Sequence, residues 1–420
     1  MLKASALFYA IVVALIIALI SSSLILFSYF NRLQFQSLQL QEKVLLNASS
    51  GINLMLANGP SFPLNKKHLI DLYGDETDSL LLWKKQWGAF EIAVSKAFFK
   101  EHESIKVAQV GANIHDDPQI ALYLTDLDKP LSLCGKTMIK GICYLPKAGV
   151  KRAYIEGQSF IGDHLINGEV KESAPSLPEA NKELLESNLG YFSKQFEEND
   201  SIIFIEEQEV KDSVVHSFMQ PTLLLYSDSK IILKKKYYLG NLRIVSSHSV
   251  YISADSHLKD VLIYAPHVEI EGGFSGNVQV FATDSIRIGK KCFLDYPSVI
   301  ALVRTNKSPD NMTLIVDEET TLSGVLLGYQ ESINNKMQLI MTIGKDAVIK
   351  GQVYAKGYVE LKGRIFGSLT CHKFILSTPS SVYENHLLNA TIDYSGLSPY
   401  FAGVSLVHDS PGKQVVKWLY

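Results

Sequence analysis

An apolar repeat with a spacing of 18 residues, between about Leu242 and Phe374, constrains the fold of this chain more than any other feature. The repeat forms three columns: Ile244, Leu262 and Val280; Val250, Val268 and Ile286; and Ile252, Ile270 and Ile288. A fixed short period is typical of solenoid proteins. The second and third columns lie two residues apart, as one face of a β-strand requires. The repeat therefore predicts stacked coils of β-strand.

The later coils show a shorter spacing of six residues, which predicts triangular coils of three hexads each. Two series are predicted to face inward: Ala347, Val353, Val359, Ile365 and Cys371, and, two residues later, Ile349, Ala355, Leu361 and Gly367. Glycines suited to corners also recur every six residues: Gly351, Gly357 and Gly363. Outward positions between the inward pairs include Tyr251, Glu269 and Arg287. Coils stack at about 4.8 Å, so we expect Glu269 and Arg287 to be neighbours.

The segment from Ala4 to Phe30 contains no charged residue over 27 positions. As a helix it would span about 40 Å, which exceeds the ~30 Å hydrocarbon core of a bilayer. A cleaved signal peptide would have an apolar region of about 7–15 residues followed by a polar mature start. Here Leu24–Phe27 continues the apolar run beyond the serines at 21–23. We therefore expect a retained transmembrane helix that contacts lipid through residues 4–30.

The charges that flank this helix give a slight preference for one orientation. Lys3 and the α-amine precede the helix, whereas Arg32 and then Lys43 follow it. The positive-inside rule therefore favours a cytoplasmic N-terminus. This orientation predicts that everything after Phe30 lies outside the cytoplasm.

Residues 31–58 are predicted to continue as an amphipathic stalk helix. Apolar residues recur there at seven, with neighbours on the adjoining track: Leu38, Leu45 and Ile52, and Ala48 and Met55. The stripe either packs on itself or on a partner helix, or packs on the chain's own domain, and the sequence does not choose between these interpretations. Asn58-Gly59-Pro60 predicts the end of the helix.

The N-terminal 55 residues or so resemble the start of a pilin or minor pilin. The resemblance rests on a short tail, a long apolar helix, an amphipathic extension and the small-residue patch Ala48–Ile52. It implies assembly through the helix. The Gly-Phe-x-x-x-x-Glu processing motif of such proteins is absent, because Lys3 runs directly into Ala4.

Composition changes divide the remainder of the chain into four predicted parts. These are a small antiparallel β domain at 59–130, opening β coils at 131–238, a parallel β-helix at 239–376 and a C-terminal cap at 377–420. A helical insert capped by Ser176 is predicted near 175–196. Two polar stretches, Arg304–Asn311 and Gln330–Lys336, predict loops that leave the coils. The fold class is therefore mainly β, with an N-terminal transmembrane helix and stalk.

The hexad coils resemble a bactofilin domain. The run Ile349-Lys-Gly-Gln-Val-Tyr-Ala-Lys-Gly-Tyr-Val-Glu-Leu-Lys-Gly-Arg-Ile-Phe-Gly367 carries the likeness, which is specific over 340–374 and loose over 240–374. The resemblance implies a small parallel β-helix that polymerises end to end and scaffolds envelope machinery. The C-terminal segment, ending in Trp418-Leu419-Tyr420, is predicted to cap the last coil and to block such growth.

The candidates for chemistry are aspartate, histidine and cysteine side chains. The aspartates near predicted corners, which fit turn chemistry better than catalysis, are Asp255, Asp260, Asp284 and Asp295. The histidines, which are candidates by position only, are His248, His257, His267 and His372. The cysteines are Cys134, Cys143, Cys292 and Cys371, read either as buried thiols or as one 134–143 disulfide with two thiols. The sequence assigns no catalytic, cofactor-binding or metal-ligating residue.

The leading functional hypothesis is a non-enzymatic, single-pass protein of the bacterial inner membrane, with a periplasmic β-helix that serves as a scaffold. We expect partners to be lipid and, through the stalk or β-helix, a second copy or envelope proteins. Lys+Arg 40 against Asp+Glu 43 argues against nucleic-acid binding. One alternative is a β-helix that binds or cleaves envelope polysaccharide through Tyr251 and the loop at 304–311. A second is a minor-pilin-like subunit. No small-molecule ligand is identified.

Overall fold

A computed structural model describes residues 2–72, 74, 79–115, 119–193, 201–205, 211–305, 308–333, 338–407 and 412–419. The chain forms two compact units. The first comprises Met1–Trp83 and Val94–Lys106, and the second comprises Lys84–Ala93 and Val107–Tyr420. Parts of the predicted loops at 304–311 and 330–336, the end of the predicted insert at 175–196, and Tyr420 lie outside the described residues.

The described helices and 3₁₀ turns are α1 (Leu2–Ala57), Gly59–Ser61, α2 (Lys182–Leu189), Gly190–Ser193 and Tyr394–Gly396. The first strands are β1 (His68–Asp71), β2 (Ser79–Trp87), β3 (Phe90–Phe99), β4 (His102–Ala112), β5 (Ile120–Leu124), β6 (Leu131–Cys134), β7 (Met138–Lys140), β8 (Ile142–Leu145), β9 (Val150–Arg152), β10 (Tyr154–Ile155), β11 (Gln158–Ser159) and β12 (Val170–Glu172). The next strands are β13 (Ser201–Phe204), β14 (Ser213–His216), β15 (Leu223–Ser227), β16 (Ile231–Leu233), β17 (Tyr237–Ser246), β18 (Ser249–Ile252), β19 (His257–Ile270), β20 (Ser275–Ile288) and β21 (Phe293–Val303). The last strands are β22 (Asn311–Val316), β23 (Thr321–Tyr329), β24 (Gln338–Ile343), β25 (Val348–Leu361), β26 (Arg364–Ser377), β27 (Val382–Glu384), β28 (His386–Leu388), β29 (Thr391–Asp393) and β30 (Lys413–Leu419).

In the first unit, helix α1 is continuous from Leu2 to Ala57 and ends where Asn58-Gly59-Pro60 predicts. Its large apolar side chains between Leu7 and Phe30 are exposed. The helix is long and apolar enough to span a membrane. The prediction of one N-terminal apolar helix is therefore confirmed.

The last turns of α1 pack inside the first unit through a narrow stripe. Its buried members are spaced by four, four and three residues: Val44, Ala48, Ile52 and Met55. The backbone of Gly51 lies so close to β3 that a Cβ there would be 2.2 Å from Ser95 Oγ. Leu38 and Leu45 are exposed, so of the predicted series with a spacing of seven only Ile52 packs in the first unit. A single straight helix buries a stripe of period 3.6, whereas a period of seven describes a coiled coil.

Most of the second unit is a parallel, solenoid-like β-sheet. Two predicted columns are confirmed by the strand register: Val250 pairs with Val268 and then Ile286, and Ile252 pairs with Ile270 and then Ile288. All six side chains lie in the hydrophobic core. In this unit β4 also pairs antiparallel with β30, from Val107–Ala112 to Lys413–Leu419.

The first predicted column needs one correction. Ile244 pairs with Ile263, and Ile263 pairs with Val280, whereas Leu262 pairs with Arg243 and Gln279 on the outward side. Bulges between Leu239 and Leu242 and between Lys259 and Val261 insert a residue into one coil. The inward position therefore shifts by one, because a single inserted residue exchanges the two faces of a strand.

The stacking order of the coils differs from their order in the sequence. Leu369 of β26 pairs with Leu122 of β5. Ile365 of β26 pairs with Ile392 of β29, which in turn pairs with Ile139 of β7. The coils built from residues 120–172 therefore continue the stack beyond β26, rather than opening it as their sequence position suggests. The apolar edge of β26 is covered by an earlier part of the chain as well as by β29.

The coil that leads from β25 to β26 is shorter than three hexads. Ile349 pairs with Ile365, and Gly351 pairs with Gly367, so corresponding positions are 16 residues apart. Gly367 therefore occupies a corner and not the predicted inward position. Gly324, Gly351 and Gly367 stack at this corner with φ of +144°, +144° and +141°. A Cβ on Gly351 would lie 1.9 Å from the carbonyl oxygen of Gly324, which only glycine permits.

Residues 173–193, called the crossing segment below, lead from β12 towards β13. Helix α2 within it begins at Lys182, because the Asn181 side chain accepts a hydrogen bond from the Leu184 amide at 3.2 Å. The prediction of Ser176 as the cap is therefore wrong. The carbonyl oxygens of Ser176 and Pro178 instead accept hydrogen bonds from tyrosine hydroxyls of the sheet, which keeps this part of the segment extended.

Candidate functional site

One outward face of the solenoid carries a continuous column of aromatic and apolar side chains. Successive strand pairings align Phe204, Tyr226, Val245, Tyr264, Phe281, Ala301, Leu327, Tyr354, Thr370, Tyr123 and Tyr144. This set is called the tyrosine column. Outward side chains on a bare solenoid would face water, yet the members from Tyr226 to Tyr354 are buried. Something must therefore cover this face.

The crossing segment is that cover, and it is attached through tyrosine hydroxyls. Tyr123 Oη accepts a hydrogen bond from the Ala174 amide at 3.0 Å. Tyr354 donates to the Pro178 carbonyl at 3.0 Å. Farther along the stack, the hydroxyl of Tyr264 donates to Oδ1 of Asn188 at 2.8 Å. Each tyrosine thus buries its ring against the sheet and uses its hydroxyl to hold the segment above it.

A second outward column runs beside the first. Its members are Ile202, Leu224, Arg243, Leu262, Gln279, Val299, Val325, Gln352 and Ser368, called the glutamine column. The Gln279 side chain accepts from the Ala89 amide at 2.8 Å and donates to the Trp87 carbonyl at 3.3 Å. Gln352 makes the same paired contact with the backbone of Val404, at 2.7 and 3.2 Å. Primary amides suit this role because they donate and accept at once.

The buried cation of the glutamine column is stabilised by an aromatic ring of the crossing segment. Arg243 is 2% exposed, and its guanidinium carbon lies 3.7 Å from the centroid of the Tyr191 ring. An arginine over a desolvated ring gains about 2 kcal/mol from the cation–π interaction. The contact between the buried Arg243 and Tyr191 therefore also stabilises the crossing segment on the sheet.

A cavity of about 420 Å³ lies where the two columns approach the later coils. Its lining residues are Ala112, Ile114, Ile120, Tyr123, Tyr144, Pro178, Gln352, Val353, Tyr354, Ser368, Thr370, Tyr394, Val404, Ser405, Leu406 and Val407. All belong to the second unit. None of these described residues carries a charged side chain. The size is that of a small-molecule site, for which volumes of about 300–1,000 Å³ are usual.

The walls of the cavity combine tyrosine rings with one buried serine hydroxyl that lacks a partner among the described residues. The rings of Tyr123 and Tyr144 stack with centroids 5.5 Å apart and planes 23° from parallel. Ser405 Oγ is buried and has no hydrogen-bond partner among the described residues. Burial raises the pKa of the Tyr354 hydroxyl, which therefore stays neutral at physiological pH. The cavity offers ring faces and neutral hydrogen-bonding groups.

The predicted corner aspartates are each engaged in local structure. The Asp255 carboxylate accepts from the Lys235 amide at 3.0 Å, and this bond lowers the pKa of Asp255. Asp260 pairs with Lys417. Asp284 accepts from the Thr283 hydroxyl at 2.8 Å. The backbone carbonyl of Asp295 accepts from the side chain of Asn277 at 3.2 Å. The structure does not bring these four carboxylates to the cavity.

The predicted histidines are also distributed along the sheet. His267 lies 3.0 Å from Ser285 Oγ and 3.5 Å from the Asp284 carboxylate, on the surface of adjacent coils. The remaining three contact single neighbours: His248 contacts Ser249, His257 stacks on Tyr237, and His372 stacks on Tyr358. Burial lowers the pKa of His372. None of the four lines the cavity.

The outward residues singled out in the repeat have partners of their own. Lys230 Nζ lies 5.6 Å from the ring centroid of Tyr251, which occupies one face of that ring. Glu269 is in register with Arg287, as predicted. The Arg287 guanidinium nevertheless donates to Asp317, at 3.0 and 3.1 Å.

All four cysteines are free and buried. The structure thus selects the thiol interpretation over a Cys134–Cys143 disulfide. Burial raises the pKa of Cys143 to about 12, so this thiol is protonated and inert at neutral pH. Among the described residues, no group of three or more His, Cys, Asp or Glu is placed to hold a metal ion.

Sequence reasoning did not find the cavity. Its walls come from segments as far apart as Ala112 and Val407, and a periodic pattern does not reveal which distant segments meet. One signal was present: outward positions that carry buried-type residues, such as Tyr264 and Phe281, indicate a covered face. Comparison with protein-family models, with curated proteins and with solved structures gives no match for this chain.

Proposed function

We propose that this chain is a non-enzymatic, membrane-anchored scaffold protein of the bacterial inner membrane. Helix α1 carries the proposal. Its apolar side chains between Leu7 and Phe30 are exposed and suited to lipid, whereas its last turns are buried in a folded unit. One rigid helix thus connects a bilayer segment directly to folded protein, with no break at which the two would separate.

The solenoid-like sheet supports a structural role. In the proposed architecture it is a parallel β-helix based on 18-residue coils, joined to a small antiparallel head. Of the described candidates for acid–base chemistry, His267 and Asp284 lie 3.5 Å apart on adjacent coils, and the others are used separately in turns, ion pairs and ring contacts. Polar side chains of the covered face likewise tie the chain to itself. A solenoid of this kind suits the display of an extended surface to a partner.

The proposed orientation places the solenoid in the periplasm, and a topology reporter tests it. A reporter active only outside the cytoplasm would be fused after Tyr420, and the same fusion lacking residues 4–30 would be the control. We expect activity in the full chain and loss of activity in the control. A cytoplasmic reading for the full chain would overturn the extracytoplasmic part of the proposal.

The stalk offers a surface for self-association or for an envelope partner. Leu38 and Leu45 remain 56% and 44% exposed on α1, beyond the segment assigned to the membrane. Exposed leucines along one helix are typical of helix–helix contact. Because the native thiols are buried, Leu38→Cys introduces one accessible thiol for crosslinking in membranes. Gln36→Cys, on the opposite face of the helix, is the matched control.

We expect a crosslinked product from Leu38→Cys and much less from Gln36→Cys. A product at twice the chain mass indicates self-association, and a product of another mass indicates an envelope partner. Equal crosslinking at both positions would show that the stalk does not associate through the leucine stripe.

A further inference from the structure

We propose that the cavity on the covered face is a binding site for an uncharged small molecule that contains a planar ring and a hydroxyl or carbonyl group. Neither the scaffold role nor the membrane anchor requires such a site. It follows from four features of the described lining residues, namely the absence of charged side chains among them, their rings, the buried Ser405 hydroxyl and the volume that they enclose.

The charge of the ligand follows from the walls. The described lining residues include no acidic, basic or histidine side chain, so an ionic ligand would lose its hydration without gaining a counter-ion. The nearest cation over a wall ring is Lys171, whose ammonium lies 5.9 Å from the Tyr144 centroid. That ammonium is paired with Glu169 at 3.4 Å. A neutral ligand is therefore favoured over either kind of ion.

The tyrosines of the cavity walls indicate that the ligand contains a planar ring. Tyr123, Tyr144, Tyr354 and Tyr394 contribute four aromatic rings to one cavity. Aromatic walls favour planar ligands, because stacked and edge-to-face ring contacts stabilise binding beyond the burial of apolar surface. The hydroxyls of Tyr123 and Tyr354 are committed to the crossing segment, so these two residues present mainly their rings.

The serine and threonine side chains of the walls indicate that the ligand carries a hydrogen-bonding group. Ser405 Oγ is buried without a partner, and the neighbouring side chains of Ser368 and Thr370 also line the cavity. A buried hydroxyl that lacks a partner is destabilising, and a ligand hydroxyl or carbonyl would supply the missing hydrogen bond. Ser368 and Thr370 both occupy outward positions on β26. Ser368 follows Gln352 in the glutamine column, and Thr370 follows Tyr354 in the tyrosine column.

The proposal is tested with two probes that share a skeleton and differ in charge: 2-naphthol, which is neutral, and naphthalene-2-sulfonate, which is anionic. Each is titrated calorimetrically into the full chain in detergent, with a detergent blank that removes partitioning. We expect one saturable site for 2-naphthol and binding of the sulfonate at least tenfold weaker. No saturable binding of 2-naphthol, or equal binding of both probes, would overturn the proposal.

Two tryptophan substitutions locate the site. Thr370→Trp fills the cavity from its wall and should weaken 2-naphthol binding at least tenfold. Thr313→Trp adds the same bulk at a partly exposed position on β22 that does not line the cavity, and should leave binding unchanged. Far-ultraviolet circular dichroism checks that both variants fold. Should Thr370→Trp fail to fold, Ser405→Val replaces it and should weaken binding at least threefold. Unchanged binding in a folded cavity variant would place the site elsewhere and contradict the proposal.

Discussion

The hydroxyl of Tyr264 donates a 2.8 Å hydrogen bond to Oδ1 of Asn188, and both residues are buried. The amide nitrogen of the same asparagine donates to the Gly88 carbonyl at 2.9 Å. Asn188 therefore joins the crossing segment to the tyrosine column and to the turn between β2 and β3. This one side chain connects three parts of the second unit that are far apart in sequence.

Removal of the Tyr264 hydroxyl tests the value of this connection. Tyr264→Phe keeps the ring stacked on Phe281, at 5.0 Å, but leaves Oδ1 of Asn188 without this donor. We expect the free energy of unfolding to fall by about 1–3 kcal/mol, because a buried acceptor loses its partner. Chemical denaturation in detergent measures the change. Tyr237→Phe, at an exposed ring, is the control and should change it by less than about 0.5 kcal/mol.

The inward assignment of the second column predicts strong sensitivity at Val268. Val268→Asp places a carboxylate in the core at a position that is 2% exposed, and should destabilise the solenoid by several kcal/mol. Glu269→Gln changes the next, outward residue and should be tolerated to within about 0.5 kcal/mol. Thermal unfolding of the two variants compares them. Unchanged stability of Val268→Asp would mean that Val268 does not face the core.

Substitution at the glycine corner should cost more than substitution at an open turn with positive φ. Gly351 and Gly149 both have positive φ, at +144° and +74°, but a Cβ meets Gly324 at the first position and nothing within 4 Å at the second. Gly149→Ala should cost about 1–2 kcal/mol from conformation alone. Gly351→Ala should cost clearly more, because its φ is less accessible to alanine and two coils must also move apart. Equal costs in denaturant titrations would show that the coils are not closely stacked at this corner.

Burial of His372 predicts a pH dependence. Its folded-state pKa is lowered by burial and by Lys373, so the unfolded chain binds this proton more tightly than the folded one. The contribution of neutral His372 to the free energy of unfolding is complete above the unfolded pKa of about 6.5. It is lost as the pH falls through the lower pKa of the folded state. Wild type should therefore lose more stability than His372→Gln between pH 7.5 and 5.5. Urea titrations measure the free energy of unfolding of both proteins at each pH. An equal change for wild type and His372→Gln would rule out this contribution of His372.

The sequence predicted the inward columns well because they depend on local periodicity. Val250, Val268 and Ile286 are in register as expected, and so is their neighbouring column. Leu262 was misassigned because it and Ile263 are both apolar and both buried. On a covered face, outward side chains are as apolar and buried as inward ones. Only the position of the bulge then determines which of two neighbouring residues faces inward.

The arrangement of coils was less predictable because it depends on pairings between distant segments. Nothing in the sequence around Leu122 indicates that it stacks on Leu369. The end of helix α2 at Leu189 and the cavity beside Tyr354 likewise depend on which segment crosses the outer face. The start of α2 was locally encoded by Asn181, which sequence reasoning passed over in favour of Ser176.

Alkaline carbonate extraction of membranes from cells that express the full chain tests the proposed anchor most directly. A helix that spans the bilayer is retained in the membrane pellet, because about 20 apolar residues hold it there without ionic contacts. The same chain lacking residues 4–30 is the control and should be released. We predict retention of the full chain under these conditions. Release of the full chain into the carbonate supernatant, at the level of the deletion control, would contradict a transmembrane anchor.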